Sequence, residues 1–564
     1  MREPEAPPAE SLLEKIGSWF ARHPFWGLTL LTFAALAPFL AKPFNLDDPL
    51  YVWGAQQIQS HPADPFGFNV NWYGFTQPMW AAMQNPPLMS YYLAIMAGIF
   101  GWSEVGLHLA ALVPAVAAVL GTYRLARNFC RWPLFAALAT LFAPGFLVSS
   151  TTVMCDVAML AFWIWALVFW TEGLKQDNFL KLFAAGILMA FATLAKYNGI
   201  CLIPLLAAHG WLEKRTVGRW AIFLLIPIVA LSAHEWWTFQ LYGHPHFFNS
   251  NQYAQAHQTF HGLAKLLKAF NALTFTGGCF VIALFCAPWL WSKRALNLIL
   301  SGAALFLALA VVGGMMTSNY PWLAGGRLSS AAIQTWLWTA AGLCVLALAA
   351  AEAWHKRDAN SWLLALWVWG IFIFAAFIYW MVNARVLLPM APAVAILVAR
   401  RLEQNRFALP AGIKIAVVAS AALSLLVAQA DFQMANAARK GAEEISDKYS
   451  NLAGRLWIEG HWGFQFYMQS AGAWPLDFDH LHLAAGDRLV LAEQNSNEFP
   501  ISPKITVLEE VFSQPDFPWL TTLNVNFGAG FYSSLWGPLP FALGAIPPEK
   551  FFVYVLKKPE EKSH

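Results

Sequence analysis

Charge is what this sequence has least of. Only 12% of its 564 residues are Asp, Glu, Lys or Arg, roughly half the ~25% of an ordinary soluble domain. With 58% hydrophobic residues and a mean hydropathy of +0.48, a water-soluble globular protein of this size is excluded. Cysteine is scarce as well. The six cysteines (Cys130, Cys155, Cys201, Cys279, Cys286 and Cys344) lie in or at the ends of apolar runs and form no CxxC pair. That excludes a disulfide framework and a Cys-ligated metal. No Asn-x-Ser/Thr sequon occurs. No internal repeat is visible, which counts against the transporters built from repeats. Finally, residues 44–107 contain no Lys or Arg at all.

What is present in abundance is apolar runs near the ~20 residues that cross a bilayer. The cations cluster between them: Arg2/Lys15/Arg22, Arg124/Arg127/Arg131, Lys175/Lys181, Lys214/Arg215/Arg219, Lys293/Arg294, Lys356/Arg357 and Arg400/Arg401/Arg406/Lys414. Cation-rich loops stay in the cytoplasm, so the intervening loops are outside. Those loops hold only Lys196, Lys265, Lys268, Arg327 and Arg385. The alternation predicts thirteen spans, near 25–42, 104–124, 132–150, 154–172, 181–196, 198–212, 220–240, 272–291, 295–314, 331–353, 361–380, 386–402 and 412–430. The N-terminus is then inside and the chain after Asp431 outside. The apolar run 86–102 is read as a juxtamembrane or re-entrant helix at the outer face, because a span there would put the Arg124 cluster outside. Residues 1–24 are read as a cytoplasmic interfacial segment and not a cleaved signal. No small-residue cleavage site follows the apolar region, and Leu12, Leu13, Ile16, Trp19 and Phe20 recur at helical spacing.

The expected organisation is therefore an interfacial segment 1–24, a membrane domain 25–431 with an outer loop 44–103, and an extracytoplasmic α/β domain 432–564. In that last region a helix is predicted over 434–449 and strands over 455–458, 488–493, 505–508 and 551–556, with Gly and Pro between them. Its aromatic string His461-Trp462-Gly463-Phe464-Gln465-Phe466-Tyr467 is suited to contact sugar or lipid, but is read first as domain core or as a seat on the membrane part.

The residues with chemistry gather at the outer face. Asp47 and Asp48 follow the first span in Phe44-Asn45-Leu46-Asp47-Asp48-Pro49, and acids at a membrane face mark a site. Asp before Pro also starts a helix, so Asp48 reads equally well as a cap. Asp47, one residue further out, is placed to take a proton from a hydroxyl or to hold a cation. Asp156 opens the fourth span, where the helix dipole also welcomes an acid. Lys196 ends the fifth span in Lys196-Tyr197-Asn198-Gly199, and Arg385 precedes the twelfth in Arg385-Val386-Leu387-Leu388-Pro389. Either cation can also be read as snorkelling. Together, two cations facing two or three acids at one depth suit an anion, phosphate above all, and a proton transfer. Group transfer from a lipid phosphate follows as the expected chemistry, driven by positioning and by stabilisation of the leaving charge.

In the order of these features the chain resembles the GT-C membrane glycosyltransferases, in particular the branch of protein O-mannosyltransferases and the lipid A aminoarabinose transferase. The resemblance covers residues 25–430. It rests on Asp47-Asp48, Asn85-Pro86-Pro87-Leu88, Asp156, Lys196-Tyr197-Asn198-Gly199 and Arg385-Val386-Leu387-Leu388-Pro389. It implies a polytopic α-helical GT-C fold with a C-terminal extracytoplasmic α/β domain. It also implies an inverting transfer of a sugar from a polyprenyl-phosphate carrier to a lipid, glycan or protein acceptor. Asp47 would be the general base, with Asp48 beside it, Asp156 would organise the acceptor side, and Lys196 and Arg385 would hold the donor phosphate. Asn85, Tyr51, Trp53 and Tyr197 are the candidate substrate contacts, with Trp72, Tyr73, Gln77 and Trp80 as further sugar contacts.

Two departures stand out. The family's Asp-Glu is Asp47-Asp48 here, and its Glu-Lys before the proline helix is Gln84-Asn85. The second change removes a carboxylate ligand and a phosphate-binding Lys. A divalent metal is thus not required, with His257 and His261 its candidate ligands and His244 and His246 nearby. The lack of a sequon and of an inserted β-trefoil points to a bacterial inner-membrane enzyme using undecaprenyl phosphate, acting on the extracytoplasmic side, with no nucleic acid among its partners. The competing readings are a transporter or flippase of a lipid-linked or polar substrate, and an envelope assembly protein whose acids are structural caps.

Overall fold

The computed structural model describes residues 18–557, apart from 21, 263, 315–319, 406–410, 497 and 500–501. Most of the expected interfacial segment 1–24 lies outside the described residues. The molecule is a polytopic α-helical membrane protein with a sheet-containing C-terminal region. Seven helices among the described residues are long and apolar enough to cross a bilayer: Glu104–Ala126, Asp156–Gln176, Arg219–Tyr242, Lys293–Val312, Ser330–Lys356, Ala359–Ile378 and Ala411–Tyr449. The other predicted spans appear as shorter or interrupted helices. Pro24–Phe39 and Phe179–Ala195 are short, and the run near 132–150 is split into Pro133–Leu141 and Pro144–Ser149. Pro144 forces Ala143 into extended backbone and supplies no N–H to continue the first helix. The run 86–102 forms the 13-residue helix Leu88–Phe100.

Helix Asp156–Gln176 is central, with 83% of its apolar window buried, whereas Lys293–Val312 is peripheral at 11%. The central helix packs on Phe179–Ala195 and Glu104–Ala126, and Ala264–Cys279 packs on Ser330–Lys356. The second crossing is unusually close. A Cβ on Gly277 would strike the Trp338 carbonyl, and one on Gly342 the Leu273 carbonyl. Small residues let backbones meet where lipid supplies no hydrophobic drive. Helix Ala359–Ile373 ends in a π turn, Phe374–Ile378, closed by Tyr379 N–H donating to the Phe374 carbonyl at 2.8 Å. The turn delivers Tyr379, Trp380 and Met381 to the lining of a cavity.

The 39-residue helix Ala411–Tyr449 is about 58 Å long at 1.5 Å per residue, nearly twice a bilayer's apolar thickness. The boundary expected after Asp431 falls within it. Its C-terminal half packs on a five-stranded sheet ordered Trp474–Pro475, Leu456–Ile458, Arg488–Ala492, Glu549–Leu556, Thr506–Gln514. The first three strands run parallel and the last two pair antiparallel. Ala442, Ile445, Phe464, Met468, Phe551 and Val553 form the core between this helix, the helix Trp462–Ser470 and the sheet. The predicted strands thus appear within a residue or two, save that 505–508 extends to Gln514.

The C-terminal chain also returns into the helix bundle. Ala384 N–H donates to the Phe531 carbonyl at 2.9 Å and Ser534 N–H to the Val382 carbonyl at 2.8 Å. Gln334 exchanges two hydrogen bonds with the Leu543 backbone, at 2.9 and 2.7 Å. Phe531 and Phe541 are fully buried in the main core.

Candidate active site

The acid pair sits at a sharp turn. Leu46 takes a left-handed φ of +50°, which is disfavoured for its side chain, and the helix Asp48–Ser60 begins at once with Pro49 in its first turn. The two acids then separate. Asp48 is fully buried and accepts from Asn45 N–H at 3.1 Å and Val153 N–H at 2.9 Å. Burial pushes its carboxyl up to about 7, against the pull of Lys42 and the two backbone donors. Asp48 thereby ties the turn to the stretch before the central helix. Asp47 makes no capping hydrogen bond. Its carboxylate is about one-third exposed and lies 2.8 Å from Arg385 Nη1.

Arg385 stands in a four-residue helix, Ala384–Leu387, capped by the Asn383 side chain. Lys196 terminates helix Phe179–Ala195 in extended backbone. Asp156 is buried behind both, one oxygen bonded to Lys196 Nζ and the other 4.0 Å from Arg385 Nη1. One carboxylate thus stands beside two cations, while Arg385 Nε finds no acceptor among the described residues. A cation cluster with donors to spare suits an anion.

Asp47, Lys196 and Arg385 line one cavity of about 310 Å³. Tyr51 and Asn85 line it too. Asn85 Nδ2 donates to Tyr51 OH at 3.1 Å, and Tyr51 donates to Cys155 Sγ at 3.0 Å. Trp72, Tyr73 and Gln84 complete that side. Asp48 and Asp156 stand behind the wall. Two candidate substrate contacts lie elsewhere. Trp53 is packed edge-on against Trp72 and beside Phe466. Tyr197 donates to His246 Nδ1 at 2.6 Å, and His246 Nε2 donates to the Met83 carbonyl at 2.8 Å. Trp80 stacks on His244 and Tyr242, away from the cavity.

The metal candidates separate as well. His257 lines the cavity, stacked on Tyr253 at 3.9 Å, and His261 is exposed. Among the described residues no three His, Cys, Asp or Glu side chains converge as metal ligands.

The C-terminal region supplies a further part of the wall. His461, Trp462, Ser496, Tyr532 and Trp536 of the C-terminal region line the same cavity. The Arg385 guanidinium lies 5.6 Å from the centre of the Tyr532 ring, whose OH donates to Asp431 at 2.8 Å. Asp431 also accepts from Thr522 at 2.8 Å and pairs with buried Lys42. A lone Lys ending the first span was the one visible signal. Its partner lies 389 residues away, beyond any local pattern.

Residues 84–237 match the model of a family described as dolichyl-phosphate-mannose-protein mannosyltransferase. No curated protein matches the chain. Among solved structures, an oligosaccharyltransferase of Archaeoglobus fulgidus is 15% identical with a TM-score of 0.46. The match covers 81% of this chain, which spans 64% of that protein's length. ArnT from Cupriavidus metallidurans, bound to undecaprenyl phosphate, is 17% identical with a TM-score of 0.42, over 84% of this chain and 93% of that one. The mycobacterial arabinofuranosyltransferase AftD is 12% identical with a TM-score of 0.39, over 96% and 40%. The family match spans the Asn85-Pro86-Pro87, Asp156 and Lys196 motifs, and the likeness to these solved structures is one of fold.

Proposed function

We propose that this protein is an inverting glycosyltransferase. It moves a sugar from a polyprenyl-phosphate carrier to an acceptor hydroxyl or phosphate at the extracytoplasmic face of a bacterial inner membrane. The observation that carries this reading is the sharing of one cavity by a carboxylate, Asp47, and two cations, Lys196 and Arg385. The donor's phosphate binds the spare donors of the two cations. The acceptor oxygen attacks the anomeric carbon, and the bond from that carbon to the phosphate oxygen breaks. The phosphate leaves with the electron pair, and a hydroxyl acceptor's proton passes to Asp47. The fixed cations stabilise the charge that grows on the leaving phosphate, the largest contribution in most such sites. A base in position adds roughly 10²–10⁴-fold.

The test is transfer by the purified protein from a panel of radiolabelled polyprenyl-phosphate sugars into membrane extract. Label reaching an acceptor, or water slowly, supports the reading and identifies the sugar. Label that crosses a sealed bilayer still attached to its carrier supports the transporter instead.

A further inference from the structure

The part of the cavity wall that the C-terminal region supplies is built at some conformational expense. Trp462 has a left-handed φ of +69°, rare for a bulky side chain. Such backbone persists only where its surroundings hold it, and it gathers at functional sites. Here the hold is explicit. The Asn495 side chain brackets the preceding peptide, accepting from His461 N–H and donating to the His461 carbonyl, each at 3.0 Å. On the other side, Gly463 lies so close to the membrane domain that a Cβ would strike the Phe44 carbonyl. Its N–H reaches Asn45 Oδ1 at 3.4 Å. The strained residue is thus registered on the segment that carries Asp47.

The product of this strain is an aromatic corner. Trp462 and Trp536 are both half-buried, 5.7 Å apart and tilted by 44°, and both line the cavity. His461 sits between Trp462 and Trp72, with ring centres 4.9 and 5.0 Å away. Its Nδ1–H donates to the Ser496 carbonyl at 3.0 Å. Its Nε2 is therefore a lone-pair acceptor, met among the described residues only by the Ser496 hydroxyl at 3.4 Å. Burial pushes the imidazole down to about 4, so the ring stays neutral at physiological pH. Two aromatic rings and a neutral acceptor, lining one cavity with a carboxylate, match one kind of ligand: a ring with C–H groups on its faces and hydroxyls at its edge.

We propose that Trp462 and Trp536, with His461 Nε2, form a pyranose-binding platform that the C-terminal domain presents to the cavity. It holds a sugar ring of the donor or of the acceptor against Asp47. The platform rests on the transferase reading for its role, but not for its existence.

The test uses the full-length protein in lipid nanodiscs, with two readouts. The first is saturation-transfer NMR with methyl pyranosides of several stereochemistries. The wild type is expected to give ring-proton signals. Trp462→Ala and Trp536→Ala should each reduce them severalfold, Trp462→Phe should retain them, and Trp474→Ala, an exposed residue outside the cavity, should leave them unchanged. The second readout is kinetic. Trp462→Ala should raise one KM about three- to tenfold, the worth of one ring stacking. A raised donor KM assigns the ring to the donor, and a raised acceptor KM assigns it to a glycan acceptor. No signal from any glycoside with the wild type overturns the platform. So do signals and both KM values left unchanged in Trp462→Ala and Trp536→Ala. Should the wild type transfer sugar from no donor yet keep Trp462-dependent signals, the transferase reading fails and the platform stands.

Discussion

Asp47 and Asp48 are adjacent in sequence and opposite in circumstance. Asp48 is spent on structure, its oxygens held by the N–H groups of Asn45 and Val153. Asp48→Asn turns an amide NH₂ toward one of those donors and should cost about 1–3 kcal/mol, the penalty for a buried unsatisfied polar group. It would be read as a fall in thermal midpoint. Lys196→Gln keeps a hydrogen bond to Asp156 but removes a charge from the anion site. Loss of one stabiliser of a leaving oxyanion costs about 10²-fold in kcat, and single-turnover kinetics would show it. Asp47, Lys196 and Arg385 could be picked from the sequence because outer charges are so few. Trp53 and Tyr197 could not be sorted from the true cavity residues, since aromatics make up 15% of the chain and only packing decides which face a cavity.

At the scale of elements, the helix Ala411–Tyr449 joins membrane and soluble parts without a break. Composition changes after Asp431, but Ala, Arg, Lys and Glu continue through 435–448, and these residues keep a helix going. Asp431 lies at its middle, fully buried with Lys42. Asp431→Ala strands that lysine charge and should destabilise the fold by about 3–5 kcal/mol. It also frees Tyr532 from its place beneath Arg385, so activity per folded molecule should fall as well. Differential scanning fluorimetry with a parallel transfer assay separates the two effects. The interrupted spans show what hydropathy misses. A window average counts apolar residues at 132–150 and does not register that Pro144 breaks the hydrogen-bond ladder. Strand patterns in the C-terminal region were legible because alternation and Gly/Pro punctuation are local signals. The return of residues 520–545 into the bundle was not, because its partners at Val382, Ala384 and Gln334 carry no sequence mark.

In the whole molecule, the cavity belongs to both parts of the chain, and its properties should follow both. The C-terminal domain carries four carboxyls that burial pushes up: Glu459 and Asp516 to about 7, Glu498 and Glu549 to about 8. Glu459 raises Glu498 further, and Asp516, Glu493 and Glu498 raise Glu549. A carboxyl whose folded pKa exceeds its unfolded value, near 4, stabilises the fold below that value and loses this contribution as pH rises through the folded pKa. The thermal midpoint of this domain should therefore drop as pH rises from about 4 to about 8. A midpoint that rises over that range would contradict the burial of these groups. Helix Trp462–Ser470 packs on this sheet and carries the cavity wall at its first residue, so the same pH range should weaken substrate binding before it slows the chemical step.

The most direct test of the account compares transfer rates of wild type, Asp47→Asn and Asp48→Asn, each corrected for folded protein. The cavity geometry predicts that Asp47→Asn loses at least about 10²-fold in kcat with its thermal midpoint unchanged. Asp48→Asn should keep its rate per folded molecule and lose stability. The reverse pattern, a stable but inactive Asp48→Asn beside an active Asp47→Asn, would contradict it.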